Sequence, residues 1–418
     1  MRNAQTELDS MAVIYSRGHL KKKANSFKVK VFNAIIFVLF LDSMVPWFTF
    51  NVNKLVLEGI ALLLIIPITA FNNMYDKSFN RAQVFLFLFF FLWLAKYNTF
   101  YGFINCFVHW GIVVIIIMLS DEYKYGLIRF ITKWFGICLF ISMIGYILHL
   151  AGVPLLHQYV EYGDYFFDNY YLFLQRELYR FQGPVIEPGH LTMGLAPILF
   201  LNNYNLKNKY VAVLFVAQLL TFSLAGYICL FVGYLIVSYN SHFRRFASSV
   251  LIIGVIFILT ITVIQNNIRE DLFQVLVLDR LEVVDDRLVG DDRSSLYLDQ
   301  QFDKVVSSSE IVTGIYFNHE LSEKGVAGFK LFFTQFGLIG ILLLLLAYFS
   351  TLLNCYSHKR ETFLFIMFLL MLLYQNAYPS WFFAVIPLLC GNAVIKYSHC
   401  YPQELTGKHQ TKLDHRSS

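Results

Sequence analysis

Charge is what this sequence has least of. Asp, Glu, Lys and Arg make up 15% of its 418 residues, where soluble domains carry roughly 25%. Cysteine is no richer: six residues, with no CxxC and no Cys/His spacing suited to a metal. On the topology below none of them pair in an oxidising loop, so no disulfide is expected. No small-residue cleavage site follows the first apolar run, so Lys21-Lys22-Lys23 reads as the flank of an uncleaved first helix rather than of a signal peptide. Internal repeats, low-complexity tracts and the inverted-repeat pattern that favours a transporter are all missing. Together these absences exclude a soluble enzyme, a disulfide-stapled domain and a zinc module.

What is present is apolar surface. Hydrophobic residues are 57% and aromatics 18% of the chain. Only a bilayer solvates that much apolar surface, and spans in lipid must be helical because unpaired backbone groups find no partner there. The pattern predicts an all-α polytopic membrane protein with about 12 transmembrane helices. They fall near 31–50, 55–72, 82–99, 102–119, 132–151, 190–203, 209–223, 225–240, 247–266, 329–353, 361–378 and 380–397. Residues 1–30 form a basic N-terminal segment, 31–397 the membrane domain and 398–418 a C-terminal tail. The net charge of +5 lies mostly in flanks and loops, which suits membrane orientation and not nucleic acid. Lysines and arginines at 21–23, 124–133, 207–209, 244–245, 359–360 and 396–416 put both termini on the cytoplasmic side, while the short outer loops hold only Lys54 and Lys96.

Two outer loops, about 152–189 and 267–328, are too long for plain connectors and carry arginines against the orientation bias. The first ends in Arg180-Phe-Gln-Gly183-Pro184-Val-Ile-Glu187-Pro188-Gly189-His190, directly before an apolar run. Pro188 suits a first helical turn, and Glu187 then meets the positive end of the helix dipole. Glu187 reads either as a helix cap or as a base, and Arg180 either as a headgroup contact or as an anion clamp. Upstream, Arg176, Tyr179 and the tyrosines between 159 and 171 read as an interfacial aromatic belt or as a stacking surface for sugars.

The second loop holds Arg280 and two acid-acid-base triplets, Asp285-Asp286-Arg287 and Asp291-Asp292-Arg293. The aspartates read as a solvated face with internal ion pairs more readily than as a cation site. Arg287 and Arg293 have the forked donors that match diphosphate oxygens. His319 is a candidate proton acceptor, and Gln375 and Asn376 are polar groups at the outer end of the eleventh span. Thr221-Phe-Ser223-Leu-Ala-Gly226 reads as a tight hairpin or a kinked helix pair, and Gly337-Leu-Ile-Gly340 as a close helix contact.

In this order, the pieces resemble the O-antigen polymerase and ligase superfamily of bacterial inner-membrane glycosyltransferases. The matching residues are Arg180, Gly183, Glu187 and Pro188; then Thr221, Ser223 and Gly226; then Gly314; then Gly337, Leu338 and Gly340. The resemblance covers about residues 175–345. It implies a GT-C-like helical fold with two large periplasmic loops that act on undecaprenyl-diphosphate-linked oligosaccharides. No cofactor is implied. A chain-length regulator and a flippase are the partner proteins implied. Ligases of this group carry a His-Asn pair upstream of the Gly-Leu-x-Gly motif, where this chain has Ala327-Gly328, so the resemblance points to a polymerase. By the same resemblance Arg180, Arg293, Glu187 and His319 are the catalytic candidates. Arg176, Arg280, Arg287, Tyr179, Gln375 and Asn376 are the candidate substrate contacts. A flippase remains the reading from another class, disfavoured because the spans hold few charges beyond Asp42 and Glu58.

Overall fold

The computed structural model describes residues 27–76, 81–97, 99–162, 165–176, 180–241, 283–284, 287–288, 295–316, 328–353, 359–375 and 381–400. They are mostly helical. The helices are α1 (Phe27–Asp42), α2 (Lys54–Phe71), α3 (Arg81–Ala95), α4 (Phe100–Met118), α5 (Asp121–Leu150), α6 (Pro188–Leu201), α7 (Lys209–Leu220), α8 (Leu224–Ser241), α9 (Leu296–Val306), α10 (Gly328–Leu353), α11 (Lys359–Gln375) and α12 (Phe382–Cys400). Among the described residues, four stretches are long and apolar enough to cross a membrane: α2, α4, α5 and Gly328–Ser350 of α10. Shorter apolar helices include α6, α7 and most of α8 and α12. Every expected span except 247–266, which lies outside the described residues, coincides with a helix.

Side-chain caps set several starts. Asn53 accepts from Leu55 N and Val56 N before α2, and Thr99 from Gly102 N before α4. Asn208 and Ser295 do the same for α7 and α9. Two boundaries differ from the sequence expectation. The first helix stops at Asp42, not near 50. There Val45 takes a left-handed backbone (φ 55°) and Pro46 pairs as an isolated bridge with Val185, so the chain leaves the helix to meet a distant segment. The fifth helix begins at Asp121, eleven residues before the expected 132. Its charged first turns mask it from a hydropathy window, yet Tyr123, Leu127, Ile128 and Ile131 are buried, and Asp121 and Glu122 sit where the helix dipole favours acid.

An all-α description is also incomplete. The first long loop contains an antiparallel sheet in the order β1 (Gln158–Tyr162), β2 (Tyr165–Asn169) and β3 (Leu174–Gln175). Its register pairs Tyr159 with Asp168 and Glu161 with Phe166. The inward residues Phe167 and Leu174 bury against Ile186, Val45, Trp47 and Phe50, a small apolar core apart from the main one. The second loop contains α9 and a two-residue pair, β4 (Val283–Val284) with β5 (Arg287–Leu288).

α6 is the axis of the bundle. All its residues from His190 to Leu201 are buried, which is the signature of a helix surrounded by others. It packs on α7, α8, α11 and α12. The abundant aromatics fill the α3, α4 and α10 interfaces: Trp93 lies 4.6 Å from Phe336 and 5.7 Å from Trp110, ring centre to ring centre. At one end of the bundle Ser43, Pro46, Lys96, Arg180 and His190 contact Phe383, Val185, Gly314, Thr221 and Trp381 respectively. At the opposite end Lys396 pairs with Asp121 at 2.9 Å, and Tyr75 bridges Leu119.

Among the described residues, α2 and α4 share a buried ionisable pair. The Glu58 carboxylate is fully buried, and the His109 Nδ1–H donates to it at 3.0 and 3.1 Å. Lys54 Nζ approaches to 3.9 Å. Removing the carboxylate takes away the acceptor of a half-buried imidazole N–H, so Glu58→Ala should cost about 3–5 kcal/mol of stability. Thermal melts in detergent check this, and the Glu58→Leu/His109→Leu double variant should lose less than Glu58→Ala alone.

Candidate functional site

The site is built on residues 180–187, which four neighbours hold by backbone hydrogen bonds. Phe181 N donates to Leu220 O at 3.0 Å, and Leu174 N to Gly183 O at 2.7 Å. Trp47 N donates to Pro184 O at 2.9 Å, and Ile186 N to Val45 O at 3.2 Å. Gly183 makes the turn with φ +57°, a left-handed conformation that favours glycine, and a Cβ there would lie 3.0 Å from Leu139. Phe181 to Ile186 are all buried. A segment so tied presents its two ends, Arg180 and Glu187, from a rigid support.

Arg180 is half-buried and its Nε donates to Thr221 O at 3.3 Å. Thr221, Ser223 and Gly226 form the α7–α8 turn, where one helix ends at Leu220 and the next begins at Leu224. Thr221 Oγ1 donates to Gln218 O at 2.7 Å and accepts from Ser223 N at 3.3 Å. Ser223 Oγ accepts from Gly226 N, and Gln218 Nε2 donates to Gly226 O. Gly226 is glycine for a packing reason: a Cβ would come within 2.9 Å of the Thr192 side chain on α6. Thr192 Oγ1 in turn donates to Thr221 Oγ1 at 3.4 Å. The turn thus joins Arg180 to the first turns of α6.

Glu187 occupies the N-cap of α6 with Pro188 at the first helical position. Its side chain makes no capping hydrogen bond, so the carboxylate faces the positive helix end without being spent as a cap. His190, one turn on, was not singled out from sequence. It is 9% exposed, and its ring stands edge-on to Trp381 at 5.4 Å. Its Nδ1 is buried without a hydrogen-bond partner among the described residues. The available signal was its spacing of three from Glu187, which places both on one helix face.

A second missed residue is Lys96. It is buried, its Nζ donates to Gly314 O at 3.1 Å and it lies 5.8 Å from the Tyr316 ring. Gly314 belongs to a loop laid backbone-on-backbone against α10. Ile315 N donates to Thr334 O at 2.9 Å, and Ile339 N to Val312 O at 3.0 Å. α10 accepts that loop because Gly337 turns left-handed (φ +58°) and breaks the helix. The expectation that Gly337 and Gly340 mark a helix–helix contact is corrected: Gly337 receives a loop, not a helix.

Arg176 is exposed and stands 4.4 Å over the Tyr165 ring on the sheet. Nearby, burial and then the Asp168 charge push the Tyr170 phenol above its ordinary pKa. Burial and then Asp42 do the same to Tyr162. The sheet therefore presents neutral hydroxyls and rings, with Tyr159 and Phe166 outward. Arg287 opens β5, opposite Val284, and Gln375 ends α11. Tyr179, Arg280, Arg293, His319 and Asn376 lie outside the described residues, as do Asp285, Asp286, Asp291 and Asp292.

Chemically, the arrangement supplies a guanidinium suited to an anion and, at one helix start, an uncapped carboxylate, with the imidazole of His190 one turn further along the same helix. Comparison with protein-family models, with curated proteins and with solved structures finds no match to this chain, so what the site does is inferred from its own residues.

Proposed function

We propose that this chain is a membrane glycosyltransferase: a polymerase of O-antigen or a related surface polysaccharide. It transfers a growing glycan from undecaprenyl diphosphate onto an incoming lipid-linked repeat unit. In this reading the chain crosses the bacterial inner membrane about twelve times. Both termini face the cytoplasm, and the end bearing Arg180 and Glu187 faces the periplasm. The observation that carries the reading is the meeting of three separate stretches at one end of the bundle: Arg180, the Thr221–Gly226 turn and the Glu187 helix start.

The roles follow from the chemistry of the donor. Its leaving group is a lipid diphosphate, whose departure needs cations more than a general acid. Arg180 supplies one, and Arg287 and Arg293 of the second loop supply others, with Arg176 and Arg280 as further substrate contacts. Glu187 takes the proton of the attacking sugar hydroxyl. The new bond joins that oxygen to the anomeric carbon; the carbon–oxygen bond to the diphosphate breaks, and its electron pair leaves with the lipid diphosphate. The tyrosine-rich sheet orients the two glycans.

The test is a deletion strain complemented with Arg180→Ala, its membrane insertion verified, and surface polysaccharide resolved on a gel. Loss of the long-chain ladder with single-repeat material retained is the expected result. An unchanged ladder refutes the role of Arg180. Polymer that accumulates unattached identifies a ligase instead. Reporter fusions within 152–162 that report a cytoplasmic location would refute the orientation.

A further inference from the structure

A lysine at the end of an apolar helix ordinarily snorkels: its stem lies along apolar surface and its ammonium reaches water. Lys96, the residue directly after α3, does not. It is 9% exposed, and its Nζ donates to Gly314 O at 3.1 Å, across 218 positions of the chain. The ring of Tyr316 lies 5.8 Å from the same nitrogen. Both contacts come from one short segment of the second loop.

That segment is itself seated on α10. Ile315 N donates to Thr334 O at 2.9 Å, and Ile339 N to Val312 O at 3.0 Å. Upstream, α9 is fixed to the same helix. Lys330 Nζ donates to Asp299 Oδ1 at 2.7 Å, and the rings of Phe302 and Phe333 lie 5.4 Å apart. Lys96 ties the segment to α3 as well, beside the Trp93–Phe336 contact between α3 and α10.

The bland reading is a permanent tether. A neutral donor would serve that purpose without taking an ammonium out of water, which is costly. The ammonium adds two things that a neutral donor lacks. Its bond to the carbonyl is charge-assisted, and it is attracted to the face of the Tyr316 ring. The same desolvation makes the grip releasable, because a freed ammonium regains its water. A firm contact that can be undone suits a segment that closes on a substrate and later lets it go.

We infer that Lys96 is a positioning residue that latches residues 309–316 between α3 and the Gly337 break of α10, holding the second loop in the arrangement that receives the lipid-linked substrate. Its purpose rests on the proposed glycosyl transfer, while the latch is a contact in its own right. Lys96 touches no reacting atom. When the latched loop is the binding-competent one, the observed affinity is the intrinsic affinity scaled by the latched fraction. Loss of the latch then raises KM. It leaves kcat nearly alone, since bound substrate holds the loop in place.

Hydrogen exchange of the full-length protein in detergent tests the latch without turnover. In Lys96→Ala, amides within 309–316 should exchange about tenfold faster, while those of 341–350 in α10 keep wild-type rates. Unchanged exchange within 309–316 overturns the latch. Tyr316→Leu removes the ring and keeps the ammonium, so it should speed the same amides about threefold, whereas Tyr316→Phe should match wild type. This pair carries the test if Lys96→Ala fails to fold, and equal rates in the two overturn the part assigned to the ring. In reconstituted polymerisation with lipid-linked repeat units, Lys96→Ala should raise KM about tenfold with kcat within about twofold of wild type. A lower melting temperature with KM unchanged is what a purely structural tether gives, and it overturns the positioning role. A wild-type protein that makes no polymer refutes the glycosyl transfer instead, and the exchange rates still decide the latch.

Discussion

Glu187→Gln should lower the rate of polymer formation by about 10²–10⁴-fold, the usual share of a positioned general base. The substitution keeps the shape of the side chain and removes only its capacity to hold a proton. The structure makes this a clean test, because Glu187 stands at the N-cap of α6 without a side-chain capping bond. A residue that caps would cost about 0.5–2 kcal/mol on replacement, and a fall in activity would then be confounded with a weakened helix. Here the melting temperature should be nearly unchanged while kcat falls. Initial rates with purified lipid-linked repeat units, together with a melt of the same preparation, separate the two. An unaltered rate would remove Glu187 from the reaction and leave it an interfacial carboxylate.

Gly337→Ala should destabilise the protein by about 2–6 kcal/mol. One part, about 1–3 kcal/mol, is left-handed backbone strain, because φ is +58° at this position. The other, about 1–3 kcal/mol, is overpacking. The added Cβ would lie 2.6 Å from Ile311 O and 2.7 Å from Gly314 N, both backbone atoms that cannot rotate away. Gly314→Ala meets the same contact from the other side, where a Cβ would collide with the carbonyl of Gln335. Both variants should be recovered in low yield as monodisperse protein and melt lower than wild type. Gly59→Ala and Gly126→Ala are the controls. Each lies inside a helix with no atom within 4 Å of the added carbon, so they should be neutral or stabilising by about 0.5–1 kcal/mol. Equal melting temperatures across the four variants would refute the backbone-on-backbone seating of the 309–316 loop.

The two glycines show where sequence reading succeeds and where it stops. Gly337 was legible as a glycine with a purpose, and the purpose assigned, helix-on-helix contact, was a local pattern applied to a long-range event. Arg180, Glu187 and the Thr221–Gly226 turn were legible too. Their order along the chain marks them out, and the structure links Arg180 to Thr221 and Thr221 to Thr192. His190 and Lys96 were not legible as buried polar groups. Each lies beside apolar sequence of the kind that leaves a polar residue at a membrane surface. Only the approach of Trp381 to the one, and of Gly314 to the other, encloses them. The sheet over 158–175 escaped notice for a related reason. Its inward face is covered by Val45, Trp47 and Phe50, more than a hundred residues earlier.

What the sequence by itself determined, among the described residues, is the set of apolar helices, since apolar runs need a backbone that satisfies its own hydrogen bonds, and that requirement is local. It also determined the start of α6, because proline and glutamate act on the turn that contains them. What only the tertiary structure decided is which of these elements face one another. It ended α1 at Asp42 to free Val45 and Pro46 for residues 185–186, broke α10 at Gly337 to seat a loop, and paired Glu58 with His109. Each of those depends on a partner far away in the chain, and a partner's distance and direction are properties of packing that no stretch of residues carries alone.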